Sequence, residues 1–236
     1  MNMTRKKVAI LISGRGSNMA ALIEAASDRS FPAEIVAVIS DQPDAIGLKI
    51  AASRGIDAHV IERRFHSGKD AHDAAIGAAL AASGAEIVAL AGYMRLFTAA
   101  FVRQWEGRMI NIHPALLPSF RGLDTHARAL DAGVRIHGCT VHFVTPEMDE
   151  GPIIAQAAVA VHIGDTAETL AARVLKAEHQ LYPLALRLVA EGKARMEHGK
   201  TVFSATDTIL QEGAALHAPS AVRDTVDFEA LARFTP

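Results

Sequence analysis

Strand-length apolar runs alternate with longer segments of helical character through the first half of the chain. Lys7–Ile12, Glu34–Ser40, Ala58–Ile61, Glu86–Ala91 and Met109–Ile112 are rich in Val, Ile, Leu and Ala, with few polar interruptions. Runs of this kind are buried on both faces and read as strands of a parallel sheet. Between them Met19–Ala26, Ala45–Arg54, Asp70–Ser83 and Thr98–Trp105 read as helices. Gly55 and Gly84 stand where two of these would stop, and Thr98 stands where an N-cap belongs. Strands alternating with helices predict an α/β domain with its sheet covered on both sides.

The pattern changes after residue 112. His113 to Gly122 holds two prolines and reads as an irregular loop, followed by a helix over Thr125–Ala132. Cys139–Val144 and Ile153–Val161 read as strands. The intervening Thr145–Pro152 is too short for a helical crossover, so this pair is expected to be antiparallel. Asp165-Thr166-Ala167-Glu168 has capping-box spacing. Leu170, Val174, Leu181, Leu184 and Leu188 then keep a helical period to Gly192, with a kink expected at Pro183. Met196–Phe203 reads as a small hairpin and Ser204–Pro236 as a peripheral tail. The expected fold is Rossmann-like: a mostly parallel sheet with helices on both faces and an antiparallel C-terminal strand pair. Residues 1–195 would form the main domain, in halves of about 1–105 and 106–195, with 196–236 peripheral to it.

Composition narrows the class. A chain of 236 residues suits one α/β domain, alone or with a small appendage. Half of it is apolar but only 5% is aromatic, so the core must be built from Ala, Val, Ile and Leu. A net charge of −2 gives no electrostatic case for nucleic acid or an anionic membrane. The single cysteine, Cys139, excludes a disulfide framework or a cysteine zinc site within one chain; a reducing cytoplasm is the simplest location. The basic start MNMTRKK precedes an apolar run, Val8 to Ile12, too short for a signal peptide, and no stretch approaches a membrane span.

The chemistry concentrates at strand ends. Asn111 and His113 are two apart in an extended segment and project to one side. An amide donor beside an imidazole can hold a developing oxyanion and move a proton; Asp149, brought alongside, would orient the ring. This set points to acyl-type group transfer without a covalent enzyme intermediate. Gly14-Arg15-Gly16-Ser17-Asn18 links a strand to a helix, and its N–H groups offer an anion site. Met19 stands where a dinucleotide fingerprint needs a third small residue, which favours one small phosphate; a plain tight turn is the competing reading. Asp41, ending the second strand, keeps a nicotinamide-dinucleotide reading open as a ribose ligand. Ser13 and Ser17 read as phosphate contacts rather than nucleophiles, since no Gly-x-Ser-x-Gly elbow is present. Cys139, with apolar neighbours, reads as buried and inert. His113, His126, His137 and His142 lack the short helical spacing of hydrolytic zinc sites, so no metal is expected. His142 would share a strand face with Thr140, lining a cleft or pairing within the sheet. Glu178 and His179 read by spacing alone as a solvated helix face.

The segments ILISGRGSNMAALI, ALAGYMRLFTAAF, MINIHPALLPSFRGLDTH, HGCTVHFVTPEMDEGPII and KAEHQLYP resemble those of the glycinamide ribonucleotide formyltransferases, folate-dependent enzymes of purine synthesis. The resemblance runs from about Val8 to Gly192. Asn-x-His-Pro with the later Asp is shared by wider folate formyltransferases; the Ser-Gly-x-Gly-Ser-Asn loop and the Glu-His pair narrow the likeness. It implies the formyltransferase fold and a catalytic trio of Asn111, His113 and Asp149. It also implies a ribonucleotide site of Gly16, Ser17, Asn18 and Glu178, against the solvated reading of Glu178. For 10-formyltetrahydrofolate, the co-substrate, it implies contacts from Met94, Arg95, Leu96, Phe97 and Asn111. The loop Thr145, Pro146, Glu147, Met148 and Asp149 would close over the pterin. Lys69 stands where the family often has an arginine facing the folate glutamate tail. Thr140 would hold a proton-carrying water. The implied partners are small molecules, with no nucleic acid, membrane or metal, in a monomer or homodimer. Among related activities, methionyl-tRNA formyltransferase would add a basic C-terminal domain, and formyltetrahydrofolate deformylase would use water as acceptor and usually adds an N-terminal regulatory domain. Outside the family, a nicotinamide-dependent oxidoreductase and a non-catalytic phosphosugar-binding module are the rivals.

Overall fold

The computed structural model describes residues 4–204. Seven strands form one sheet: β1 Lys6–Ile12, β2 Ala33–Ser40, β3 Asp57–Val60, β4 Ile87–Leu90, β5 Met109–His113, β6 Ile136–Phe143 and β7 Ile153–Ala160. Their order is β3-β2-β1-β4-β5-β6-β7. The first five pair in parallel, and β6 runs antiparallel to both β5 and β7. The antiparallel turn thus begins one strand earlier than the expected C-terminal pair. The connection from β5 holds only a loop and the short helix α5 (Thr125–Asp131), and makes no crossover.

Alternate residues of β1 enter two separate cores, as expected for a doubly covered sheet. Val8, Ile10 and Ile12 pack with Leu22 and Ile23 of α1 (Ser17–Ser27) and with Tyr182 and Leu186 of α6 (Ala167–Ala190). Ala9 and Leu11 pack with Ile76 and Leu80 of α3 (Lys69–Ser83) and Phe101 of α4 (Ala99–Gln104). A further helix, α2 (Ile46–Ser53), follows β2, and a single 3₁₀ turn at Arg63–Phe65 was not anticipated. Chain order reverses beside β1, so the carboxyl ends of β1 and β4 border a crevice, the usual ligand position in such sheets.

Helix α6 is the long brace. It runs unbroken through Pro183, and fully buried Tyr182 aims its hydroxyl at the carbonyls of Leu90 and Ile110, 2.9 and 3.2 Å away. Its N-terminus corrects the expected capping box. The cap is Thr166, paired reciprocally with Thr169 rather than Glu168. Asp165 is drawn off by Arg173, whose guanidinium takes both carboxylate oxygens at 2.7 and 2.9 Å. A two-pronged charged contact outcompetes a single N-cap bond. After α6 a hairpin forms from β8 (Ala194–Glu197) and β9 (Lys200–Phe203), starting two residues before the expected position; His198 and Gly199 both have positive φ, as a type I′ turn requires. The expected tail lies, beyond Ser204, outside the described residues. Among the described residues no helix is long and apolar enough to cross a membrane.

Gly138 is where β6 and β7 crowd together. A Cβ there would lie 2.0 Å from the Ala157 carbonyl oxygen, a backbone atom. Gly138→Ala is therefore expected to lower unfolding free energy by about 1–3 kcal/mol in urea titration, the scale of overpacking. An unchanged midpoint would contradict that packing.

Candidate active site

Three segments meet at the carboxyl end of β5. Asn111 lies directly opposite His142 in the antiparallel register, and His113 opposite Thr140. The loop between β6 and β7 brings Asp149 over them. Its Oδ2 is 3.5 Å from His113 Nδ1 and accepts the Gly122 N–H at 2.9 Å; its Oδ1 is 3.8 Å from His142 Nε2. The other nitrogen of His113, Nε2, is 2.9 Å from the Phe120 carbonyl and so donates to it. Phe120 and Asp149 both have left-handed backbone, with φ of 56 and 55°. Non-glycine residues in that region are uncommon and concentrate at functional turns.

The neighbouring imidazoles are held neutral. Burial lowers the pKa of His142, against the opposing pull of its bond to the Phe143 carbonyl and the Asp149 charge. Burial, reinforced by His126, takes His137 down to about 4, and burial also lowers His126. His126 and His137 stack edge-on at 5.4 Å. Among the described residues no group of His, Cys, Asp and Glu could hold a metal ion. Cys139 is fully buried, and burial with the nearby Glu178 pushes its thiol up to about 12, so it is inert.

The glycine loop opens toward the same end of the sheet. Gly16, at φ 73°, caps α1 with no side-chain acceptor, and a Cβ on it would lie 2.9 Å from the Gly47 Cα. The first-turn N–H groups, at Ser17 and Asn18, therefore lack a side-chain cap, the arrangement an anion uses. Asn18 Nδ2 donates to Glu178 Oε2 at 2.7 Å. Glu178 is only 6% exposed, which corrects the solvated-face reading from spacing. Burial raises its pKa, partly offset by Asn18.

Two expectations fall on occupied hydroxyls and carboxylates. The Thr140 hydroxyl donates to the Ala115 carbonyl at 2.7 Å and accepts from Leu117 N and Gln156 Nε2, both at 3.0 Å. One donor and two lone pairs are then all engaged, leaving nothing for a proton-carrying water. Ser13 turns from the glycine loop to donate to Asp41 at 2.6 Å and accept from Met94 N at 2.9 Å. Asp41 also takes Gln42 Nε2 at 2.9 Å and Arg95 Nε at 2.8 Å. Three donors hold this carboxylate and it is buried, which leaves it poorly placed for the ribose-binding role that a nicotinamide dinucleotide would need.

The clamp sets the segment after β4. Arg95 is held by Asp41, and Phe97 lies stacked between Tyr93 and Phe101, at 5.1 and 4.6 Å. Met94 and Leu96 are left exposed, as is Met148 across in the Asp149 loop beside exposed Pro146 and Glu147. Thr145 bonds back to the Glu147 carbonyl at 3.3 Å, within that loop. Lys69 stands exposed at the start of α3, with no hydrogen bond or ion pair to the other site residues. His142, expected to line a cleft or pair within the sheet, lies opposite Asn111 in the ladder. Phe120 is the site neighbour that sequence reasoning missed; a carbonyl contact such as its own has no sequence signal.

Residues 6–186 match the family model described as formyl transferase. The chain belongs to the formyl transferase family. It is similar to the phosphoribosylglycinamide formyltransferase of Escherichia coli (strain K12), 41% identical over 80% of this chain and 89% of that one. It is also similar to the trifunctional purine biosynthetic protein adenosine-3 of Bos taurus, 48% identical over 86% of this chain. The chain spans only 20% of the length of that relative. Among solved structures, the phosphoribosylglycinamide formyltransferase of Brucella melitensis superposes with a TM-score of 0.77 at 60% identity, covering 79% of this chain and 96% of that one. The seven-stranded sheet with its antiparallel end is thus the fold of this family.

The clamp has a pH signature. Burial alone would raise the Asp41 pKa; bonds from Ser13, Arg95 and Gln42 outweigh it, and the net value lies below the ordinary one. A depressed folded pKa contributes stability that is complete above the unfolded value, about 3.9, and is lost as pH falls through the folded value. The stability gap between wild type and Asp41→Asn in urea is therefore expected to hold from pH 7 to about 5 and to close below about 4. A gap of equal size at the acid end would count against the clamp.

Proposed function

We propose that the chain transfers the formyl group of 10-formyltetrahydrofolate to the amine of glycinamide ribonucleotide, a step of purine biosynthesis. One observation carries the reading. His113 and Asp149 meet at 3.5 Å beside Asn111, which shares a strand with His113, and Glu178, which feels the charge of His113, accepts from Asn18 in the first turn of the uncapped helix α1. Likeness to phosphoribosylglycinamide formyltransferases over most of their length supports the choice of substrates.

In this reading the ribonucleotide phosphate binds at Gly16, Ser17 and Asn18, and Glu178 contacts the substrate. The folate lies against Met94, Arg95, Leu96 and Phe97, with Thr145, Pro146, Glu147 and Met148 closing over it and Lys69 toward its tail. The amine attacks the formyl carbon directly. The negative charge that forms on oxygen is held by the Asn111 amide and by His113 in its protonated form, whose Nδ1 is the nitrogen not engaged by Phe120. Asp149 orients that ring and stabilises the positive charge it carries. The amine loses a proton, the folate nitrogen gains one, and the carbon–nitrogen bond to folate breaks. Holding both substrates in line removes the entropy of encounter. The enzyme would act on small molecules in the cytoplasm, as monomer or homodimer.

His113→Ala is expected to lower kcat at least about a hundredfold, the scale of one lost oxyanion donor. Near-normal turnover would reject the assignment. Asp149→Asn should lower kcat while leaving ribonucleotide affinity, read by calorimetry, nearly as it was. Lost affinity with kcat retained at saturation would make Asp149 a binding residue instead. Formyl transfer measured with and without glycinamide ribonucleotide tests the reaction itself: formate release without an amine acceptor would indicate the deformylase activity.

A further inference from the structure

His142 has no part in the reaction as described, yet it touches Asn111. It is 3% exposed and lies opposite Asn111 across the β5–β6 ladder. Its Nδ1 is 2.9 Å from the Phe143 carbonyl oxygen, and its Nε2 is 3.2 Å from Asn111 Nδ2. A carbonyl oxygen only accepts, so Nδ1 carries the hydrogen. In the neutral ring that burial favours, Nε2 then holds a lone pair and can only accept. The group of Asn111 that fits against it is an amide N–H. A half-turn of the amide would set its carbonyl oxygen against that lone pair.

We propose that His142 is a positioning residue for formyl transfer: its Nε2 lone pair receives one N–H of Asn111 and thereby fixes which edge of the amide faces the reacting carbon. This rests on the reading that Asn111 holds the oxyanion. With one N–H engaged by His142, the second remains on the same nitrogen for the substrate oxygen. Reversal of the amide would present a carbonyl to a developing negative charge, which is repulsive. The fixed peptide geometry behind the ring reinforces this. A Cβ at Gly151 would lie 1.7 Å from the Phe143 carbonyl oxygen and 3.2 Å from His142 Nδ1, so bare backbone is needed where the loop passes that carbonyl. Asp149 Oδ1 at 3.8 Å and the His113 ring are the charged or titratable groups nearest His142.

The test compares His142→Leu, which removes the acceptor, with His142→Gln, whose side-chain oxygen can stand near the place of Nε2. His142→Leu is expected to lower kcat about tenfold to a hundredfold, with KM for both substrates within about twofold. His142→Gln should recover most of that loss. A His142→Leu enzyme with normal kcat, or a His142→Gln enzyme as slow as His142→Leu, would overturn the proposal. Nitrogen-15 NMR of the wild-type imidazoles gives a readout that needs no variant to fold. His142 should titrate as a neutral ring protonated on Nδ1 at pH 7; an Nε2-protonated or charged ring would overturn the proposal. Asn111→Ala separates the two levels. If it turns over normally, the oxyanion reading itself fails; if it is slow while His142→Leu is not, only the role of His142 fails.

Discussion

A carboxylate withdrawn from water must find charge or hydrogen-bond partners, and at Asp149 that requirement organises the site. Its side chain is only 12% exposed. The partners come from separate parts of the chain: the Gly122 N–H from the loop after β5 and His113 from β5 itself. Satisfying one largely shielded charge therefore draws two loops together over the strand ends. The left-handed backbone at Asp149 and the bare backbone at Gly151 are what this closure demands locally. On the proposed reading, the same contacts that quiet the carboxylate hold an imidazole in place for a reaction that generates negative charge nearby.

The opposite wall of the crevice is built by the same logic with a different carboxylate. Asp41 gathers Ser13, Gln42 and Arg95, and through Ser13 it also fixes Met94. That clamp locks the glycine loop to the segment after β4. Beneath both, α6 reaches across the sheet, anchored by Tyr182 on β4 and β5, and presents Glu178 one turn earlier to Asn18. Glycine loop, apolar rim and the polar end of β5 are thus three outcomes of a single crossover geometry; on the proposed reading they become phosphate cradle, folate rim and catalytic centre.

The fold was legible in the sequence because it is written in local pattern. Continuous apolar runs such as Ile87–Leu90 and stops such as Gly84 need no knowledge of distant residues. Asn111 and His113 could be paired from strand periodicity alone. The misreadings share one cause. Whether Thr140 has a free lone pair, whether Asp41 faces a ligand and whether Glu178 meets water are decided by partners remote in sequence. Asn18 and Glu178, 160 positions apart, show the scale of that separation. The cap of α6 failed for the same reason at shorter range, since Arg173 competes for Asp165 from two turns into the helix.

The most direct test is a crystal structure with glycinamide ribonucleotide and a folate analogue bearing a stable tetrahedral centre in place of the formyl group. The oxygen on that centre is expected within about 3 Å of both Asn111 Nδ2 and a ring nitrogen of His113, with Asp149 still against the imidazole. An oxygen held by other donors, with Asn111 and His113 turned away from it, would contradict the assignment of this crevice.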